Sequence, residues 1–98
     1  MVSKIIWSPR AIADLRDIAR YIGKSSPLAA ERFCRSILIH AESLAEFPHK
    51  GRVIPEKARD TLRELIFPPY RIAYEVQPQL GTVEIMTIWH SARGPIPF

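Results

Sequence analysis

The sequence of 98 residues predicts an α+β fold in the order β-α-α-β-β-β, with a helical hairpin packed on a mainly antiparallel sheet. Three observations lead there. Ser-Pro occurs at Ser8-Pro9 and at Ser26-Pro27, each followed by apolar residues at helical spacing. A polar stretch broken by Pro48, Gly51 and Pro55 then ends the helical pattern. Beyond it, three short runs with strand character are separated by Pro68-Pro69 and by the turn at 77–81.

Taken in order, residues 3–7 hold Ile5, Ile6 and Trp7 and read as a strand. Ser8 can cap the free amides of a helix whose first position is Pro9, where a missing N–H costs nothing. Ile12, Leu15, Ile18, Ala19 and Ile22 then mark its apolar face, with Arg10, Asp14, Arg16, Asp17 and Arg20 opposite, until Gly23. The second helix follows Ser26-Pro27 and carries Ala30, Phe33, Cys34, Ile37, Leu38, Ala41, Leu44 and Ala45 up to Phe47-Pro48. Cys34 lies in that stripe and reads as a packing residue. The three-residue link between the helices predicts an antiparallel hairpin. Residues 48–60 read as a loop. Strands are expected over 61–67, over 71–76 with Ile72, Tyr74 and Val76 alternating, and over 82–90, where alternation is poorer. The tail 91–98, with Gly94, Pro95 and Pro97, is expected to be irregular. The hairpin should bury its stripe on one sheet face and leave the other partly open for a partner or substrate.

Length and composition fit one domain, residues 1–98, with 47% hydrophobic and 24% charged side chains. The formal charge is +4, and residues 50–71 alone carry six basic against three acidic side chains. A basic middle suits an acidic or polyanionic partner, or simply a solvated surface. Cys34 is the one cysteine, which excludes a disulfide within the chain and a cysteine zinc site, and fits a reducing compartment. No apolar run has signal-peptide or membrane-spanning length, so a cytoplasmic location and no membrane partner are expected.

No Gly-rich phosphate loop, nucleotide fingerprint or metal-ligand spacing is present, so neither cofactor nor metal is expected. His40 lies beside the second apolar stripe, as a boundary packing residue would, and His49 stands alone in the loop. What remains is Arg63, Glu64, Arg71, Glu75, His90 and Arg93 in the strand region. Arginine forks grip phosphate or carboxylate through paired hydrogen bonds, and histidine moves protons near neutral pH. Arg63, Arg71 and His90, if gathered on one sheet face, can bind an RNA phosphate and assist attack by a 2′-hydroxyl. The residues alone favour the plainer reading, outward-facing polar groups of a half-exposed sheet, since spacing does not show convergence. Tyr74 shares the alternation of Ile72 and Val76 and reads as core; Tyr70 is not assigned.

Five motifs, Trp7-Ser8-Pro9-Arg10-Ala11, Pro48-to-Arg52, Leu62-Arg63-Glu64-Leu65, Tyr70-Arg71-Ile72 and Ile88-x-His90, together resemble those of the RelE/ParE toxin superfamily, and of its ParE-like, plasmid-stabilisation branch in particular. Trp7-Ser8-Pro9-Arg10-Ala11 with Asp14-Leu15 and Ile18 is similar to the first strand and helix of ParE-type toxins. Phe47-Pro48-His49-Lys50-Gly51-Arg52 resembles their Pro-x-x-Gly-Arg signature. Leu62-Arg63-Glu64-Leu65, Tyr70-Arg71-Ile72-x-Tyr74-Glu75-Val76 and Ile88-x-His90-x-Ala92-Arg93 resemble three successive strand motifs. The resemblance implies a RelE/ParE-like fold and the toxin of a type II toxin–antitoxin pair. It also implies a cognate antitoxin that wraps the toxin, and operator DNA reached only through that antitoxin. Inhibition of DNA gyrase is the leading target, through Arg63, Arg71, His90 and Arg93. Ribosome-dependent cleavage of messenger RNA is the alternative, with Arg63, Arg71 and His90 as catalytic residues. Ser91 stands after His90 where certain nucleases carry an aromatic residue.

Overall fold

The computed structural model describes residues 2–98. Strand β1 (Lys4–Trp7) leads into helix α1 (Pro9–Gly23) and helix α2 (Pro27–Glu42). Ser8 Oγ accepts from Ala11 N and Ser26 Oγ from Ala29 N, so both Ser-Pro starts work as read: each serine satisfies an orphan amide of the first turn. A short 3₁₀ turn, Ser43–Ala45, ends α2 a few residues before the expected stop at Phe47-Pro48. Then come β2 (Arg52–Val53), β3 (Leu62–Phe67), β4 (Tyr70–Gln77) and β5 (Thr82–His90). Among the described residues no helix is long and apolar enough to cross a membrane.

The fold is α+β, with the sheet in the order β1-β5-β4-β3-β2. Its strands pair antiparallel except β1, which the helical crossover returns parallel to β5. Strand β2 lies inside the stretch expected to be loop. Two residues are too short to show an alternation, and Arg52 and Val53 are placed only by pairing with Glu64 and Arg63.

Ile37, Ala41 and Leu44 of the second stripe are fully buried against Ile72, Tyr74, Val83, Ile85 and Ile88. Ile37 and Leu44, withdrawn from water, each contribute on the order of 1.5–3 kcal/mol. The first stripe is rotated from its expected phase. Ala11 is buried with Leu15 and Ile18 beside it, while Ile12 is 45% exposed. The rotation follows from the position of α1 at the rim of β5. There Asp14 accepts from Ile88 N at 3.2 Å and from the Thr87 hydroxyl, and Ser8 Oγ donates to Met86 O at 2.9 Å.

The poor alternation of β5 has a local cause. The β4–β5 register slips between Ala73 and Tyr74, which pair with Thr87 and Ile85 and leave Met86 as an extra residue. Ile88 therefore joins Val83 and Ile85 under the helices, and Trp89 turns to the other face. That other face is not the open surface expected from sequence. Ile54 from the β2–β3 loop and Ile96 from the tail bury Leu62, Ala73 and Trp89 there. Nor is the tail wholly irregular: Ser91–Arg93 forms a 3₁₀ turn, and Trp89 Nε1 donates to Gly94 O at 2.9 Å.

Candidate functional site

Arg71 and Arg63 project to opposite sides of the sheet. Arg71 pairs across the ladder with Trp89 and shares its face, away from the helices, whereas Arg63 pairs with the core residue Tyr74. One-residue offsets in an alternating strand produce this split. Arg63, Arg71 and His90 are therefore not gathered on one face. Each is held in its own surroundings.

Arg71 is committed within the fold. Its Nε donates to Glu64 Oε1 at 2.5 Å, and its two terminal nitrogens form a fork on Glu56, both at 2.9 Å. The Glu64 side chain is 0% exposed and also accepts from Arg52 Nε at 2.7 Å. Two arginines thus neutralise one buried carboxylate, as a charge away from water requires. Glu56 Oε2 additionally accepts from Ile96 N at 3.0 Å, which ties the tail to the network. The Arg71 fork, with the Ile96 amide behind it, pulls the Glu56 carboxyl down to a pKa of about 2. The same fork on Glu56 pushes the Arg71 pKa further up against the opposing effect of burial.

Arg63 is a staple between two loops. Nε donates to Asp60 O at 2.9 Å, one terminal nitrogen to Gly51 O at 2.8 Å and His49 O at 3.3 Å, and the other to Asp60 Oδ1 at 2.8 Å. Its side chain is 15% exposed. Neither arginine offers a free fork to a phosphate.

His90 and Arg93 do come together. They line a groove of about 390 Å³ with Asp17, Ile18 and Tyr21 of α1 and Tyr70 of β4. His90 packs edge-to-face on Tyr70, with ring centres 5.2 Å apart. Its Nδ1 accepts from Ala92 N at 3.0 Å, capping the Ser91–Arg93 turn. With Nδ1 accepting, the ring's Nε2–H is the group left to donate a hydrogen bond. Arg93 lies with Cζ 4.2 Å from the centre of the Trp89 ring. The groove combines an apolar wall, one donor-bearing imidazole and a guanidinium.

Residues 5–95 match the family model described as ParE toxin of type II toxin-antitoxin system, parDE. The chain belongs to the ParE toxin family. This ParE-family chain is 46% identical over 93 residues to Toxin RelE2 of Caulobacter vibrioides, covering 94% of this chain and 99% of that one. It is 38% identical over 90 residues to Putative toxin Y4kP of Sinorhizobium fredii, covering 90% and 88%. Among solved structures it is similar to a chain of the chromosomal ParDE system of P. aeruginosa, with a TM-score of 0.73 at 21% identity, covering 91% and 96%. A chain of the RelBE2 toxin–antitoxin complex of Mycobacterium tuberculosis gives 0.68 at 17% identity, covering 92% of each. Both structures share the arrangement of two helices on a five-stranded sheet.

In this ParE-family toxin the Pro48-to-Arg52 motif has a structural job. The Tyr74 hydroxyl, inside the core, donates to Pro48 O at 2.8 Å and accepts from Gly51 N at 2.9 Å. Burial raises its pKa, which keeps the phenol protonated and able to donate. Sequence reasoning left Tyr70 unassigned and placed Asp17 and Tyr21 in no site. Asp17 and Tyr21 share helical spacing on α1, but that they meet Tyr70 and the end of β5 is a tertiary contact that no local pattern records.

Proposed function

We propose that this type II toxin acts by inhibiting DNA gyrase through a protein–protein surface centred on the His90–Arg93 groove, and that a cognate antitoxin neutralises it. The observation that carries this reading is the dispersal of the three nuclease candidates. Arg71 is engaged with Glu56 and Glu64, Arg63 with loop carbonyls, and His90 with the Ala92 amide. A nuclease must position a phosphate and move a proton at one point, and losing a proton-transfer group costs about two to four orders of magnitude in rate. An interface needs no such convergence; it needs an aromatic and arginine anchor in a groove. Tyr21, Tyr70 and Arg93 are of that type. No cofactor enters this action, and operator DNA is reached only through the antitoxin.

Purified toxin should block supercoiling of relaxed plasmid by gyrase, and antitoxin added first should restore it. Arg93→Ala should weaken inhibition by about 1–3 kcal/mol, the loss of one anchor. Unimpaired supercoiling at a large molar excess of toxin would overturn the proposal.

Ribosome-dependent cleavage of messenger RNA is the second reading. It is favoured by His90, Tyr70 and Arg93 lining one groove, since an imidazole, a phenol and a guanidinium are groups that RNA cleavage uses.

A further inference from the structure

Residues 47–51 form a loop whose backbone is fastened at every residue, although its side chains reach the surface. Phe47 N donates to Ser43 O at 3.2 Å, and Lys50 N donates to Phe47 O at 3.0 Å. The Tyr74 hydroxyl holds Pro48 O and Gly51 N, while Arg63 holds His49 O and Gly51 O. On this fixed backbone Phe47 is 60% exposed. Val2, also exposed, lines a hollow with it, and exposed Ile39 lies one helical turn before Glu42 on α2. One apolar side chain in water needs no explanation, but a group of them on a rigid support marks a contact surface. An anchor on an ordered backbone loses little freedom when a partner covers it.

Two hollows meet at Phe47, and Glu46 and Phe47 line both. The first, of about 250 Å³, is bounded by Val2, Glu42 and Ala45; the second, of about 520 Å³, by Pro48, His49 and Lys50. A space of about 150 Å³ takes a benzene ring, so the first has room for a phenylalanine. Among the described residues Glu42 and Glu46 have no cation partner, and Lys50 has no carboxylate partner. The Lys50 ammonium donates to Ser43 Oγ at 3.2 Å. Glu42 ends α2, where the helix dipole is already negative, so the helix itself does not stabilise it. An acidic segment or a polynucleotide would be repelled by Glu42 and Glu46, and a purely basic partner would meet Lys50. A patch holding an apolar knob, a hollow, free carboxylates and a free ammonium is complementary to itself. A two-fold axis through it sets each group against its counterpart in a second copy. Neither hollow shares a residue with the His90–Arg93 groove.

We infer that two copies of this chain associate about a two-fold axis at Phe47, each Phe47 entering the other copy's hollow between Val2 and Ala45 and each Lys50 pairing with the other copy's Glu46. The surface is small, so the dimer is weak and forms only as concentration rises. Sedimentation velocity of the purified full chain over a concentration series tests this, with circular dichroism to establish that each variant is folded. Wild type should pass from monomer to dimer, with a larger dissociation constant at high salt. Phe47→Ser should weaken the dimer at least tenfold. Leu28→Ser, an exposed apolar loss at the opposite end of α2, should dimerise like wild type. Glu46→Lys and Lys50→Glu each set like charges across the axis and should each weaken it about tenfold. An equimolar mixture of those two variants should recover the dimer, because both pairs across the axis again join opposite charges. A wild-type chain that stays monomeric at every concentration would overturn the inference, and a loss of antitoxin affinity in Phe47→Ser would then give the knob to that partner. A dimer that survives Phe47→Ser, or a mixture that stays monomeric, would overturn it as well.

Discussion

A Cβ built on Gly51 would lie 2.5 Å from the Glu64 carbonyl oxygen and 2.7 Å from the Tyr74 hydroxyl. Glycine is required there because two backbones and a buried phenol meet with no room between them. Gly51→Ala should therefore cost about 1–3 kcal/mol of unfolding free energy in urea, the range for overpacking against fixed atoms. Tyr74→Phe should cost a similar amount for a different reason, because it strands the Gly51 amide and the Pro48 carbonyl without partners. Glu56 supplies a pH test. Its pKa falls on folding from 4.5 to about 2, so its stabilisation is fully present above pH 4.5 and is lost as pH drops toward 2. Melting temperature should fall over that window, and Glu56→Gln should lower it at neutral pH and shrink the acid-induced drop. An acid profile identical in the variant and the parent would show that the Arg71 fork does not stabilise the fold.

Strand β5 is partnered by β1 along one part of its edge and by Ser8 and α1 along the next. The first strand covers only Thr82–Ile85 of its edge, and beyond that point Ser8 and Asp14 supply the missing partners. Asp14→Ala should lower stability by about 1–3 kcal/mol by leaving the Ile88 amide and Thr87 hydroxyl unpaired, readable as a shift in the urea midpoint without a change in slope. The two Ser-Pro starts and the stripe of Ile37, Ala41 and Leu44 were legible because capping and periodicity are local properties. The phase of α1 was not, because Ala11 replaces Ile12 in the core only once Asp14 is fastened to β5. Likewise the bulge at Met86 exchanges the faces of Ile88 and Trp89, and a period-2 pattern read from sequence carries no sign of it. The groups that engage the predicted site residues were equally remote: Glu56 is 15 residues from Arg71, and Gly51 is 12 from Arg63. His90 and Arg93, named from the strand region and from the motif Ile88-x-His90-x-Ala92-Arg93, lie together in the groove.

Taken whole, the molecule closes one face of its sheet and leaves its openings at the helical side. The β2–β3 loop and the tail seal the far face through Ile54, Ile96 and the Glu56–Arg71–Glu64 network. Between α1 and the strand ends, the groove presents Tyr21, 72% exposed, with Tyr70, His90 and Arg93. Arg63 and Arg71 hold loops together, and the proposed function assigns the groove to recognition rather than to proton transfer. Primer extension across messenger RNA on translating ribosomes, with purified toxin added, tests that division most directly. The message should stay intact at toxin concentrations that arrest gyrase. Codon-specific cuts that disappear with His90→Ala would contradict it and make the groove the active site of a nuclease.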